Sequence, residues 1–293
     1  MKMKFVGTGS AFTLKNFQTN TLIEKNGKYL LIDAGTDIRF SLHRAGMSYK
    51  NIDALYLTHC HGDHISGLEY LAFCTYFDPS CKDDKITLYG NNTLLREAWN
   101  HTLSGGLRSV QGKVVTLSDY FDVQMIKKNG GFEWEGIRFH IVQSVHIMDG
   151  YSIVHSYGLM IDVPENEGTM TEFKRGKRIF YTGDTQFNPN QIQDFYKAAD
   201  LIIQDCETTP YMSGVHANYQ ELCTLSPEIK KKMCLVHFQD NVLDDNGNVL
   251  PEWVEKAKKD GFIGFVERGT VMDMTSSVAF PSITSAMVYP LCR

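Results

Sequence analysis

Two β-sheets packed face to face with helices outside, an α/β architecture, is what this sequence predicts, and three observations carry the prediction. Strand-like segments fall into two groups, each interleaved with helix-patterned stretches. Turn signals separate these segments at short intervals. No internal repeat, low-complexity tract or long linker interrupts them. With 293 residues and 43% hydrophobic content, the chain can bury one large core or two small ones. The expected organisation is one domain over residues 1–274, followed by a Ser- and Thr-rich C-terminal tail, 275–293, of unassigned role.

The elements follow in order. Met3 to Val6 reads as a strand leading into the turn Gly7-Thr8-Gly9-Ser10. Asn20 to Glu24 and Tyr29 to Ile32 flank Lys25-Asn26-Gly27-Lys28, and Asn-Gly between apolar runs signals a hairpin. Asp33-Ala34-Gly35 ends that strand, and Thr36 to Ala45 carries helical spacing up to Gly46. Asp53 to Leu57 reads as a buried strand delivering Thr58-His59-Cys60-His61-Gly62-Asp63-His64 into a loop, with one helix over Ile65 to Phe77 beginning just after His64. Ile86 to Tyr89 is expected as a strand and Leu94 to Leu103 as a helix. The second group comprises strands at Val114–Leu117, Phe132–Trp134, Arg138–Val145, Tyr157–Ile161, Arg178–Tyr181, Leu201–Gln204, Cys234–Val236 and Gly264–Glu267. Helices are expected at Gln191–Lys197, Asn218–Leu225 and Glu252–Lys259.

Composition narrows the function. A net charge of −5 disfavours a wide polyanion track, because phosphate contacts dominate the affinity of proteins that grip nucleic acid. Seven cysteines, scattered and without a CxxC pair, read as free thiols of a reducing compartment. The N-terminal apolar run is too short for a signal-peptide core, and no stretch reaches bilayer-spanning length. A cytoplasmic protein with no membrane partner is expected, in a host cytoplasm if the chain is phage-encoded.

The chemistry concentrates at His59, His61, Asp63 and His64. Imidazole and carboxylate are zinc ligands, and catalytic sites keep a position open for water. Two histidines two apart on an extended loop can reach one ion, while Asp63 and His64 can turn to a second across Gly62. Three further candidates each follow an expected strand: His146, Asp184 and His237. Each alone would pass for a satisfied loop residue; beside the cluster each reads as a ligand. His43, His101, His140 and His155 fit no motif and read as surface or core histidines. Asp33 is expected to brace the loop beneath the metals, as carboxylates that orient metal-bound histidines do.

These residues resemble the metallo-β-lactamase superfamily, in the branch of the tRNA 3′-processing endonucleases (ribonuclease Z). The match rests on Gly7-Thr8-Gly9-Ser10-Ala11, Leu31-Ile32-Asp33-Ala34-Gly35, the His59 cluster, His146, Tyr181-Thr182-Gly183-Asp184-Thr185 and His237. The resemblance implies a four-layer αββα sandwich holding two divalent ions, zinc with manganese as the alternative. One ion would be held by His59, His61 and His146, a second by Asp63, His64 and His237, with Asp184 bridging.

Asp205-Cys206-Glu207-Thr208-Thr209 stands where ribonuclease Z relatives carry His-Glu-Ala-Thr, and Ser213-Gly214-Val215-His216-Ala217 resembles their following histidine segment. Carried over, Glu207 would orient His216, and His216 would protonate the leaving oxygen. Asp63, His216 and Glu207 are therefore the expected catalytic residues. The chain lacks the Gly- and Lys-rich arm of those nucleases and carries Cys206 in place of the segment's histidine. The run from Asp205 to Ala217 looks like the anti-Pycsar cyclic-nucleotide phosphodiesterases of phages and bacteria. That resemblance implies hydrolysis of 3′,5′-cyclic mononucleotides to nucleoside monophosphates by a homodimer, against cyclic-nucleotide immune signalling. Phe17, Tyr151 and Tyr211 are the aromatics expected near the site that could stack on a base. The alternatives are a tRNA 3′-processing endonuclease, with tRNA as partner, and a lactonase or thioesterase of the same superfamily.

Overall fold

The first hairpin shows how local sequence sets the frame. Asn26 and Gly27 take φ of 55° and 76°, the two left-handed residues of a type I′ turn, whose twist matches its flanking strands. Pairing then runs in register from Lys25–Lys28 to Thr21–Ile32. The structure, a computed structural model, describes residues 1–81, 84–165 and 173–274. The expected tail, 275–293, lies outside the described residues.

In chain order the strands are β1 (Lys2–Gly7), β2 (Asn20–Lys25), β3 (Lys28–Ile32), β4 (Ala54–Tyr56), β5 (Thr87–Asn91), β6 (Ser109–Val110), β7 (Lys113–Val114) and β8 (Asp122–Ile126). They continue with β9 (Gly131–Trp134), β10 (Ile137–Gln143), β11 (Tyr157–Pro164), β12 (Arg175–Tyr181), β13 (Leu201–Asp205), β14 (Met233–Val236), β15 (Gly264–Phe265) and β16 (Val271–Asp273). Two seven-stranded sheets result, ordered β16-β1-β2-β3-β4-β5-β8 and β15-β14-β13-β12-β11-β10-β9. In the first, β3, β4, β5 and β8 run parallel; in the second, β12 to β15 do.

Strand periodicity sorts the core. Phe5, Leu22, Leu55 and Leu88 of the first sheet share one buried cluster with Phe139, Ile161, Ile179 and Ile203 of the second. Met160, Phe180 and Ile202, each one residue out of phase, join a second cluster with Ile192 and Tyr196 of the helix Pro189–Ala198. The period of two thus divides an inter-sheet core from a sheet–helix layer. Helices Ile38–Arg44 and Leu68–Phe77 bury Ile38, Leu42, Leu68 and Leu71. A stack of near-parallel rings, Tyr89 on Phe132 (4.1 Å) and Phe132 on Phe139 (4.5 Å), bridges the two sheets. The architecture is the αββα sandwich of the metallo-β-lactamase fold. Among the described residues no helix is long and apolar enough to cross a membrane, and the six described cysteines are free thiols.

Three expectations need correction. The helix expected over Ile65–Phe77 is two helices, Gly62–Ile65 and Leu68–Phe77, so His64 sits inside a helical turn. Gly67 stands at the break because a Cβ there would lie 2.4 Å from the Gly35 carbonyl oxygen. The strand expected at Val114–Leu117 reaches only Val114; Thr116 and Asp119 form a reciprocal cap that starts a helical turn at Leu117. The helix expected over Leu94–Leu103 changes at Ala98 into a π-helical turn, Ala98–Leu103. Three strands carried no readable pattern: two-residue β6, β8, an edge strand with only Ile126 buried, and three-residue β16.

Candidate metal centre

The metal candidates follow strand ends: His59 and His61 after β4, Asp63 and His64 in the helical turn beyond them, His146 after antiparallel β10, Asp184 after β12 and His237 after β14. Carboxyl ends of parallel strands are where open α/β sheets place ligands. Beyond β4, Thr58 donates through its backbone N–H (2.8 Å) and its hydroxyl (2.7 Å) to the two carboxylate oxygens of Asp33. Asp33 also holds His64 Nδ1 at 2.8 Å, so one buried carboxylate braces both ends of the His59–His64 segment, as the sequence suggested.

Glycine sets the fit of that segment. A Cβ on Gly35 would stand 2.3 Å from the Asp63 carbonyl oxygen. Only glycine lets the helical turn carrying Asp63 and His64 rest on the end of β3, where Ala34 N donates to His64 O at 2.8 Å. After β14, His237 takes φ of 64°; its N–H donates to Thr8 O (2.8 Å) and its Nδ1 lies 3.2 Å from Thr19 Oγ1. The glycine turn after β1 therefore supports His237, a role that its sequence alone did not reveal.

Asp184, three residues beyond β12, is the hub. Its Oδ2 lies 3.7 Å from His59 Nε2, 3.3 Å from His64 Nε2, 3.8 Å from His146 Nε2 and 3.4 Å from His237 Nε2. His61 Nδ1 and His146 Nε2 are 3.1 Å apart. The metal candidates form two groups whose ligand atoms lie within 4.8 Å of one another, His59, His61, His146 and Asp184, and Asp63, His64, Asp184 and His237; Asp184, Asp205, His216 and His237 form a third. All seven sequence candidates are thus brought together.

The donor set suits a pair of divalent ions. His59, His64 and His237 each turn an Nε2 inward that is buried and without a hydrogen-bond partner, a costly state unless a cation takes the lone pair. Their Nδ1 atoms face Thr58, Asp33 and Thr19, the arrangement that fixes the tautomer of a ligating histidine. Burial pushes the imidazole pKa down at His59, His61 and His146, favouring the neutral form that binds metal. Burial alone would raise Asp184, but His237 and His64 hold it well below the usual carboxylate range.

His216 lies beside both groups, its ring centroid 5.0 Å from that of His146 and 4.9 Å from that of His237. Here the structure corrects the sequence reading. The carboxylate on His216 Nδ1 is Asp205, at 2.9 Å, whereas Glu207 accepts from Ser213 N and Asn218 Nδ2. Asp205 ends β13 inside the sheet, pointing at the same rim as Asp184; Glu207 lies beyond it, where the chain bridges to Asn218. The missed signal was position, since Asp205 closes an apolar strand. Burial would lower His216, but the Asp205 carboxylate carries it up to about 10.

The remaining expectations fall outside this cluster. Phe17 stacks under the Arg268 guanidinium, 5.2 Å from its ring centroid, and Tyr151 and Tyr211 are exposed. His43, His101 and His140 are exposed, while His155 pairs with Glu97 at 2.9 Å.

Comparison with known proteins agrees with this geometry. The family model described as "Anti-Pycsar protein Apyc1" matches residues 1–272. This chain belongs to that family. Anti-Pycsar protein Apyc1 of Paenibacillus xerothermodurans is 30% identical over 245 residues, covering 83% of this chain and 89% of the relative. The protein of that name from Bacillus phage 010DV004 is 33% identical over 255 residues, covering 83% and 91%. Among solved structures, the metallo-β-lactamase fold protein YhfI from Bacillus subtilis superposes with a TM-score of 0.65 at 19% identity, covering 93% of this chain and 99% of that one. The short form of human tRNase Z gives 0.62 at 17% identity, covering 94% and 99%. Likeness at that level speaks for the fold.

Proposed function

We propose that this metal-dependent hydrolase cleaves the phosphodiester of 3′,5′-cyclic mononucleotides, yielding nucleoside monophosphates, and so removes a cyclic-nucleotide immune signal. The observation that carries the reading is the Asp205–His216 pair beside two ligand groups that share Asp184. Two divalent cations, zinc with manganese as the alternative, would supply Lewis-acid polarisation of the phosphate and an activated water. His59, His61 and His146 would hold one, Asp63, His64 and His237 the other, with Asp184 between them.

The chain's own residues do the rest. Asp63, besides its ligand role, would accept a hydrogen bond from the attacking water. His216, held by Asp205 through Nδ1, presents Nε2 to the leaving ribose oxygen and delivers the proton there, a task general acids suit when correctly oriented. The family's name supports a cyclic-nucleotide substrate over tRNA.

We further propose a cytoplasmic homodimer. Phe12 and Leu14 on the loop after β1, Tyr151 after His146, and Tyr211 before His216 are all exposed beside elements of the centre, and a second copy would cover them. Sedimentation velocity at micromolar concentration tests this, with a monomer refuting it.

A substrate panel tests the activity: cyclic purine and pyrimidine monophosphates, cyclic dinucleotides, precursor tRNA and a lactone. Turnover is expected for cyclic mononucleotides. Activity confined to precursor tRNA or to the lactone would overturn the substrate and leave the centre standing.

A further inference from the structure

Glu207 remains outside the His216 pair, yet the residue is only 3% exposed, and burying a carboxylate is costly unless the bonds it makes are worth keeping. One bond enters a surface strap, and the other comes from Asn218, the residue just past its end. The strap Thr208–Ala217 leaves β13, passes through Gly214 at φ 78°, and returns to the helical turn Tyr219–Leu222. Residues 210–214 of this strap are exposed, so apolar burial does little to hold it. Polar tethers do. Glu207 Oε2 accepts from Ser213 N (3.0 Å) and Asn218 Nδ2 (3.3 Å). Asn218 Nδ2 also lies 3.1 Å from Thr209 O and 3.4 Å from Tyr211 O. Backbone bonds close the strap's base, Glu207 N to Ala217 O and Tyr219 N to Glu207 O, each 2.9 Å.

The strap touches the proposed centre twice. Val215 O accepts from His146 Nδ1 at 2.7 Å, which turns His146 Nε2 toward Asp184. The next residue, His216, meets Asp205. His59, His64 and His237 are braced instead by Thr58, Asp33 and Thr19, all on the first sheet and its loops.

We infer that Glu207 is a positioning residue: by fixing the strap from inside, it sets both the tautomer of His146 and the placement of His216. This rests on the proposed ligand role of His146, and it separates the two ions. Loosening the strap weakens the one held by His59, His61 and His146, while the one held by Asp63, His64 and His237 keeps its supports. A hydrogen-bond partner behind a ligating histidine is worth roughly tenfold to a hundredfold in metal affinity.

The test is competitive chelation of the zinc-loaded full chain, wild type against Glu207→Ala, resolving the two ions, with proton NMR of the His146 Nδ1–H resonance. Expected is roughly a tenfold or greater weakening of one ion, an unchanged second ion, and loss or faster exchange of that resonance. Two ions retained at wild-type affinity with the resonance intact would overturn the inference, as would equal weakening of both. Should Glu207→Ala not fold, Glu207→Met carries the test: it fills much the same space without an acceptor for Ser213 N or Asn218 Nδ2, and the same two outcomes decide. Failure of wild type to hold two ions would instead overturn the proposed centre. Substrate enters neither measurement.

Discussion

Replacing Asp205 with asparagine tests the proton-delivery step at a single atom. Asp205 Oδ2 receives two donors, Thr185 N and His216 Nδ1, each at 2.9 Å, while its Oδ1 is buried without a partner. An asparagine oxygen can keep both donors satisfied, with its amide group falling where no acceptor waits. The shape survives and the charge is lost. A hydrogen bond to a charged group contributes about 1.5–3 kcal/mol, and about 1.4 kcal/mol is tenfold in rate, so kcat on a cyclic mononucleotide should fall roughly thirtyfold. The sign in pH follows: with the Asp205 charge gone, burial lowers His216, the acid form is depleted sooner as pH rises, and the alkaline limb of kcat moves to lower pH. The deciding assay pairs the cyclic nucleotide with bis(p-nitrophenyl) phosphate, whose leaving group departs without a proton. The loss should appear on the first substrate and largely vanish on the second, at unchanged zinc content. Equal losses on both, or zinc falling in step with kcat, would refute the reasoning.

Other outcomes follow from the same geometry. Asp184→Asn removes the carboxylate that faces five imidazoles, those of His59, His64, His146, His237 and His216; bound metal by elemental analysis should fall below two per chain and kcat by more than about a hundredfold, since a Lewis-acid ion supplies several kcal/mol. Gly35→Ala forces a methyl within 2.3 Å of the Asp63 carbonyl oxygen, so the ion beside Asp63 should be lost to chelator first while the His59 side persists. Phe139→Ala empties a fully buried position in the inter-sheet ring stack; urea unfolding should show about 3–5 kcal/mol lost, with metal content per folded molecule unchanged.

Much of the centre was legible because its chemistry is local. His59, His61, Asp63 and His64 lie within six residues, and few structural demands other than metal binding require that density of ligands. The Asn26-Gly27 turn was readable for a similar reason, since two consecutive left-handed residues suit little else. His146, Asp184 and His237 were readable as polar residues following apolar strands. That rule finds strand ends and says nothing of which ends meet.

Where residues compete for one partner, sequence spacing loses its power. Asp205 and Glu207 lie two apart and are both buried carboxylates near His216. The competition was settled by where the chain leaves β13: Asp205 is still paired to β14, opposite Val236, while Glu207 has entered the bridge to Asn218. The break at Gly67 likewise depends on a carbonyl 32 positions earlier, at Gly35. The sequence by itself determined the ligand types, the strands that carry them and the hairpin that starts the first sheet, all set by side-chain chemistry and short-range backbone preference. Only the tertiary structure decided that Asp205 rather than Glu207 holds His216 and that a glycine turn props His237, because each depends on where strands and loops come to lie once both sheets have packed.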